Sequence, residues 1–257
     1  TGSFSGAVTA ASTVTVTDDL IVDTTSLIVD ASSNKIGMGV DPSTMPSFAT
    51  HSIKTANGGG VSITSPSSDD NRYIFFGNGT SSSDIQLAAI KNTSSDLSFL
   101  GVSGQVQMVI DSTGAVTKPL QPAFMATQVG GTVQSNISNN TTLTFGVERF
   151  DNNGDFASNT FTAPVTGKYQ MQFHGRFHAI DIDCNWIRVV LVTSNHSYGS
   201  MIIDPNFSAD LSYYPFHFNY LVDMDASDTA SVLWEFNGGA AQMDASEIVY
   251  FSGYLVA

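Results

Sequence analysis

The stretch Phe156-Ala157-Ser158-Asn159-Thr160-Phe161-Thr162-Ala163-Pro164-Val165-Thr166-Gly167-Lys168-Tyr169-Gln170-Met171-Gln172-Phe173-His174-Gly175-Arg176-Phe177 decides how the chain is read. From Lys168 onward it alternates. Tyr169, Met171, Phe173 and Phe177 fall on one face; Lys168, Gln170, Gln172, His174 and Arg176 fall on the other. Period two sustained over this length is the pattern of a strand buried on one side and wet on the other. Thr166-Gly167 supplies the turn that feeds the strand, and Pro164 stands where the preceding strand must end. Each buried aromatic contributes roughly 2–3 kcal/mol, enough for this strand to anchor a sheet.

The same logic extends over residues 119–257. It predicts strands over 123–128, 141–145, 158–163, 168–177, 186–193, 216–222, 229–236 and 248–256. That number of strands, joined by turns, suits two packed sheets. Trp186-Ile187-Arg188-Val189-Val190-Leu191-Val192 is a near-continuous apolar run, as expected of a strand covered on both sides, the second cover in an oligomer being a neighbouring subunit. Phe161, Gly167 after five intervening residues, and then Tyr169, Met171 and Phe173 at alternate positions resemble the signature of C1q-like (TNF-like) jelly-roll domains. Pro122-Ala123-Phe124 is similar to the first strand of that domain. Tyr250-Phe251-Ser252-Gly253-Tyr254-Leu255-Val256 is similar to its last. The family usually carries an aromatic where this chain has Met171. The resemblance implies a jelly-roll head with Phe161, Gly167, Tyr169, Phe173, Phe251 and Gly253 as its signature positions.

The chain has 257 residues, enough for two modest domains, and only 12% are charged. Ser, Thr, Asn and Gly fill the polar positions, a usage that suits strands and turns over surface helices. No apolar run approaches 18 residues, so no membrane insertion is expected. The chain opens at Thr1, which reads as a piece of a longer protein. The single cysteine, Cys184, excludes an intrachain disulfide and a site built on several thiolates; its apolar setting reads as a buried, inert thiol. The net charge is −14, with ten acids and five bases in residues 1–118 and thirteen acids and four bases in residues 119–257. Nucleic acid and bare anionic membrane both want Lys/Arg patches, so neither is an expected partner.

Residues 1–43 contain a ladder of short apolar pieces: Val14-Thr15-Val16, Leu20-Ile21-Val22, Leu27-Ile28-Val29 and Ile36-Gly37-Met38, each followed by polar turn residues. The spacing is too irregular for heptads, and β-branched residues are too many for helix. Two inward residues per rung contribute roughly 1.5–3 kcal/mol each, whereas ordering each residue costs about 1–2 kcal/mol. A rung alone does not close that gap, and stacked repeats need neighbours. Three chains about one axis would cover one another, which predicts a trimeric shaft. Val29 through Val40 resembles the shaft segments of bacteriophage tail fibres. Residues 44–118 form a second β-rich piece. Strands are expected at Val61–Thr64, Tyr73–Phe76, Ile85–Ile90, Leu97–Leu100 and Val106–Ile110, in a sandwich or meander rhythm. Arg72–Gly77 and Ile110–Gly114 are similar to phage fibre and baseplate-appendage sequences. The expected architecture is all-β throughout: a shaft, an intermediate domain and a C1q-like jelly-roll sandwich over 119–257.

Candidate chemistry is sparse. Asp181 and Asp183 lie two apart and admit two readings, a shared Ca²⁺ or two solvated carboxylates; no other cofactor is expected. Asp223, Asp225 and Asp228 touch the start of an EF-hand loop but lack its glycine and closing Glu, so a solvated turn is expected. His174, His178 and His196 match no zinc spacing. Tyr198, Tyr213, Tyr214 and His217 are receptor-binding candidates, because rings with polar tips suit recognition of glycans and protein surfaces. Phe216, Phe218 and Tyr220 read as one core face of a strand. No Gly-x-Ser-x-Gly elbow, phosphate loop or His-Glu-x-x-His is present, and no catalytic residue is assigned.

The resemblances imply a homotrimeric, extracellular virion tail appendage. Its N-terminal side would join other virion tail proteins, and its distal head would bind a host surface glycan or protein receptor. Two alternatives stand beside this: a structural virion fibre or adaptor whose head serves trimerisation, and a glycan depolymerase, which would need two carboxylates roughly 5–10 Å apart across a groove.

Overall fold

The computed structural model describes residues 20–22, 27–30, 35–38, 51–53, 72–76, 88–93, 95–101, 104–128, 134–199, 202–204 and 206–257. The described elements are all strands, in two compact units, residues 1–72 and 73–257. In the first unit, β1 (Leu20–Val22), β2 (Leu27–Asp30), β3 (Lys35–Met38) and β4 (His51–Ile53) form one sheet in the order β1-β2-β3-β4. Three of the predicted rungs are therefore strands; the rung at Val14–Val16 lies outside the described residues. β1–β2 and β2–β3 pair antiparallel, with Ile21 opposite Ile28 and Val29 opposite Ile36. The outer edges of the sheet fall on β1 and β4, and the rungs thus pair with one another inside their own chain. The reason is length: the four residues between β1 and β2, and between β2 and β3, are enough for a hairpin return.

The second unit opens with a meander, β5 (Arg72–Phe76), β6 (Ala88–Thr93), β7 (Asp96–Leu100), β8 (Val106–Ile110) and β9 (Val116–Thr117), ordered sequentially in one sheet. Of the two rhythms the spacing allowed, this is the meander. The predicted strand at Val61–Thr64 lies outside the described residues. Asp111 closes the β8–β9 turn, accepting hydrogen bonds from Thr113 N, Thr113 Oγ1 and Ala115 N at 2.8, 2.7 and 3.0 Å.

Residues 123–255 form a jelly roll from β10 (Ala123–Thr127), β11 (Gln134–Ile137), β12 (Thr141–Thr142), β13 (Val147–Asp151), β14 (Phe156–Ala157), β15 (Thr160–Thr162), β16 (Gly167–Ile180), β17 (Trp186–Thr193), β18 (Ser197–Gly199), β19 (Leu211–Met224), β20 (Thr229–Asn237) and β21 (Met243–Leu255). Sheet 1 runs β13-β10-β21-β16-β19, with β11 also on β21. Sheet 2 runs β14-β15-β20-β17-β18, with β12 also on β20. All eight predicted strands are present. β12 is shorter than expected, and β19 is longer because it follows β16 along the whole ladder from Gly167↔Met224 to Ile180↔Leu211.

The alternation that opened the reading sets the core. Tyr169, Met171, Phe173 and Phe177 are each 2% exposed or less. Phe124 stacks on Phe156 and Phe161 at centroid distances of 4.9 and 4.8 Å, and meets Phe251 edge-on at 5.1 Å. Phe156 and Phe161 are directly paired across a two-residue turn, Ser158-Asn159, in which both residues have positive φ. That turn matches the twist of a hairpin, and Asn159 Oδ1 also accepts a hydrogen bond from Phe145 N at 2.7 Å. Tyr169 buries its ring and donates its hydroxyl to Val165 O at 2.7 Å; burial holds this phenol above its ordinary pKa. Along the run at 186–193, Ile187, Val189, Val190 and Leu191 are buried within the single chain, while Trp186, Arg188 and Val192 stay partly exposed. Val190 is 2% exposed within the single chain, on the same strand face as Arg188, whose guanidinium lies 5.1 Å over the Trp186 ring and pairs with Glu235 at 2.6 Å.

Candidate functional site

β16 occupies the middle of sheet 1, so its outward residues have cross-strand neighbours on both sides. Register places His217 opposite His174, Tyr213 opposite His178, Asn219 opposite Gln172 and Leu221 opposite Gln170 on β19. On β21 it places Tyr250 opposite His174, Ser252 opposite Gln172 and Tyr254 opposite Gln170. Met125 of β10 continues the row beyond Ser252, and Phe150 of β13 lies beyond Met125. The outer face of sheet 1 is thus a patch of rings, amides and apolar side chains. Tyr213, Leu221, Tyr254 and Phe150 are 67%, 58%, 47% and 47% exposed. Its charges sit toward the ends: Lys168 pairs with Asp223 at 2.5 Å, and His178 Nδ1 lies 3.8 Å from Asp244. Arg176 carries its guanidinium 5.4 Å from the Tyr213 ring centroid, a cation–π contact that orients the phenol. A shallow depression of about 330 Å³ at the centre is lined by Met125, Gln172, Phe173, His174, Phe218, Asn219, Tyr250 and Ser252.

A second concavity follows the free edge of β19. Ile203 exchanges two backbone hydrogen bonds of 2.9 Å with Ile187, which hangs residues 202–204 on the edge of sheet 2. Between this segment and β19 lies a groove of about 350 Å³ lined by Ile202, Ile203, Asp204, Tyr214, Pro215, Phe216 and His217. Phe216, 3% exposed, packs edge-on against Trp234 at 5.7 Å. The Trp234 indole N–H is buried without a hydrogen-bond partner.

The four predicted receptor-binding residues separate. Tyr213 and His217 face outward from sheet 1; Tyr214 turns toward the core, half-buried, and lines the groove together with His217. Tyr213 and Tyr214 precede the strand expected over 216–222, but both sit in β19, because it continues to pair with His178 and Phe177 of β16. Tyr198, on β18, is half-buried, with its ring 4.7 Å from His196 and 5.3 Å from Tyr220. Phe216 and Phe218 are core residues, as read. The predicted Asp223–Asp228 turn is present, tied by Asp228 Oδ2 accepting from Asp225 N and from Asn195 Nδ2.

Asp181 and Asp183 lie in the loop after β16. Asp181 Oδ2 accepts from Gln242 N at 3.1 Å, and Asp183 is exposed. Among the described residues no group of three or more His, Cys, Asp or Glu side chains is arranged to hold a metal ion. Cys184 is half-buried; burial first, then the carboxylates of Asp183, Asp181 and Asp204, raise its pKa, which keeps it a thiol. The sequence reading missed the His174–His217–Tyr250 row and the exposed Leu221 and Phe150, because cross-strand register is invisible to a linear scan. It also missed the groove wall at Ile202 and Ile203, where an apolar doublet in a polar stretch was the available signal.

No protein-family model matches the chain, and no curated protein does. Among solved structures it is similar to the globular domain of zebrafish complement 1qA protein, at 16% identity and a TM-score of 0.41, over 53% of this chain and 98% of that one.

Proposed function

We propose that this chain is a virion fibre protein of the phage tail-fibre type, a homotrimer that attaches the particle to the host surface by non-covalent receptor binding. The observation that carries the reading is the outer face of sheet 1. Tyr213, Tyr254, Phe150 and Leu221 stand exposed on one rigid sheet, with charges displaced to its ends. Rings presented on strands lose little conformational entropy on contact and are suited to recognition. The upstream strands β1–β4, three or four residues each in a single sheet, support the fibre part of the reading. A sheet that short needs a second layer, and sister copies are the economical source. Three heads on one shaft multiply weak contacts through effective concentration. The N-terminal side would join other tail proteins, and the C1q-like head would face the host from outside the cell.

The test is binding of the labelled full chain to host-envelope fractions, with mass photometry alongside. The expected result is a trimer that binds, and Tyr213→Ala weakens binding without changing the trimer. A stable monomer overturns the fibre reading; a trimer that binds no envelope fraction overturns the attachment reading. A structural adaptor with a trimerising head is favoured by one observation, the exposed apolar Leu221 and Phe150 on the same face. Deleting residues 119–257 separates the two: loss of adsorption from intact particles fits attachment, and loss of assembly fits the adaptor.

A further inference from the structure

We infer that the groove along the free edge of β19 is a subsite for an uncharged pyranose ring. The inference rests on the attachment reading and gives it a ligand class. The groove's volume of about 350 Å³ is at the low end of small-ligand sites. Its surface is amphiphilic in the way a sugar is. Ile202, Ile203 and Phe216 form apolar walls and floor, and the Tyr214 ring offers a surface for the C–H face of a pyranose. Asp204 presents a carboxylate that accepts hydroxyl donors, while the Tyr214 hydroxyl and the His217 imidazole both donate and accept.

Charge selects within that class. Asp204 is the one carboxylate among the described lining residues, and no Lys or Arg joins it. Residues 119–257 carry thirteen acids against four bases. A uronic or sialic acid would bring a second carboxylate into this field with nothing to neutralise it. An extended peptide fits less well. Pro215 stands mid-strand at the edge, where proline is tolerated, and it removes a donor that an added strand would use.

The molecule contains its own reporter. Trp234 touches the groove floor through Phe216, and Trp186 is the only other tryptophan. In full-length Trp186→Phe protein, indole emission therefore follows the environment behind Phe216. Methyl glycosides of glucose, galactose and mannose, with glucosamine, glucuronic acid and N-acetylneuraminic acid as comparisons, are titrated by emission and by saturation-transfer NMR.

The expected result is weak, saturable binding of at least one neutral glycoside, with glucuronic and N-acetylneuraminic acids inert. Asp204→Ala weakens it about tenfold, the scale of one lost charge-assisted hydrogen bond. Val116→Ala, on the exposed strand β9 and outside both the groove and the outer face of sheet 1, leaves it unchanged. Absence of saturation transfer from every neutral glycoside overturns the inference; so do equal binding of the acidic sugars, binding confined to glucosamine, and binding indifferent to Asp204→Ala. Circular dichroism of Asp204→Ala confirms that the variant is folded, and Asp204→Asn gives a second, shape-conserving readout. If envelope binding persists while the glycosides fail, the groove inference falls and attachment stands. If glycosides bind while envelope fractions do not, attachment falls and the sugar site stands.

Discussion

Gly253 and Met171 face one another across β21 and β16, and a Cβ at position 253 would stand 2.5 Å from Met171 Sδ and 2.9 Å from Phe124 Cε1. The glycine is there because the first strand's aromatic and the central strand's methionine both crowd its face. Gly253→Ala is expected to destabilise the jelly roll by about 1–3 kcal/mol through overpacking. Urea denaturation measures it. Met171→Ala in the same chain should recover part of that loss, so the double-mutant cycle is expected to be non-additive.

Phe161 is fully buried and stacked on Phe124 at 4.8 Å. Phe161→Ala should cost about 3–5 kcal/mol. Tyr213→Ala, at 67% exposure, should stay within about 0.5 kcal/mol of the parent. Parallel denaturation curves check the contrast: similar losses at the two positions would contradict the assignment of inner and outer faces.

Asp111 sets one acid-side dependence. Hydrogen bonds from Thr113 and Ala115 hold its carboxyl below the ordinary value of 3.8. A depressed folded pKa contributes stability that is present above the unfolded value and lost as pH falls through the folded one. The β8–β9 turn should therefore loosen only below about pH 4. An NMR titration showing Asp111 at or above its ordinary value would contradict this.

Asp155 has the opposite sign. Burial, reinforced by the neighbouring Asp151 carboxylate, raises its pKa, against a hydrogen bond from Asn153 that lowers it. A raised carboxyl favours the fold below its unfolded pKa, and that contribution is lost as pH rises through the folded value. Asp155→Asn is expected to raise the thermal midpoint at neutral pH and to leave it nearly unchanged in acid. Melting curves at both pH values test this.

The Lys168–Asp223 pair is short but wet, its side chains 51% and 72% exposed. Screening and side-chain entropy should limit the loss on Lys168→Ala to less than about 1 kcal/mol, and high salt should abolish it. A larger, salt-insensitive loss in denaturation experiments would mean that the Lys168 stem packs, rather than its charge.

Local pattern was enough for the β-strand character of this chain, because alternation from Tyr169 to Phe177 and the turn at Thr166-Gly167 are written in consecutive residues. The pattern also separated Phe216 and Phe218 as core from His217 as surface, since parity along one strand needs no partner. Register between strands was not legible. Which residue of β19 meets His174, and that Tyr250 meets it from the other side, depends on how strands about thirty residues or more apart in sequence are aligned. The length of β19 was underestimated for the same reason: Tyr213 and Tyr214 are strand residues only because β16 continues beside them. The groove is further still from the sequence. It exists because Ile203 bonds to Ile187 of one sheet while Phe216 belongs to the other, and a space between two sheets is a property of their packing, not of either strand.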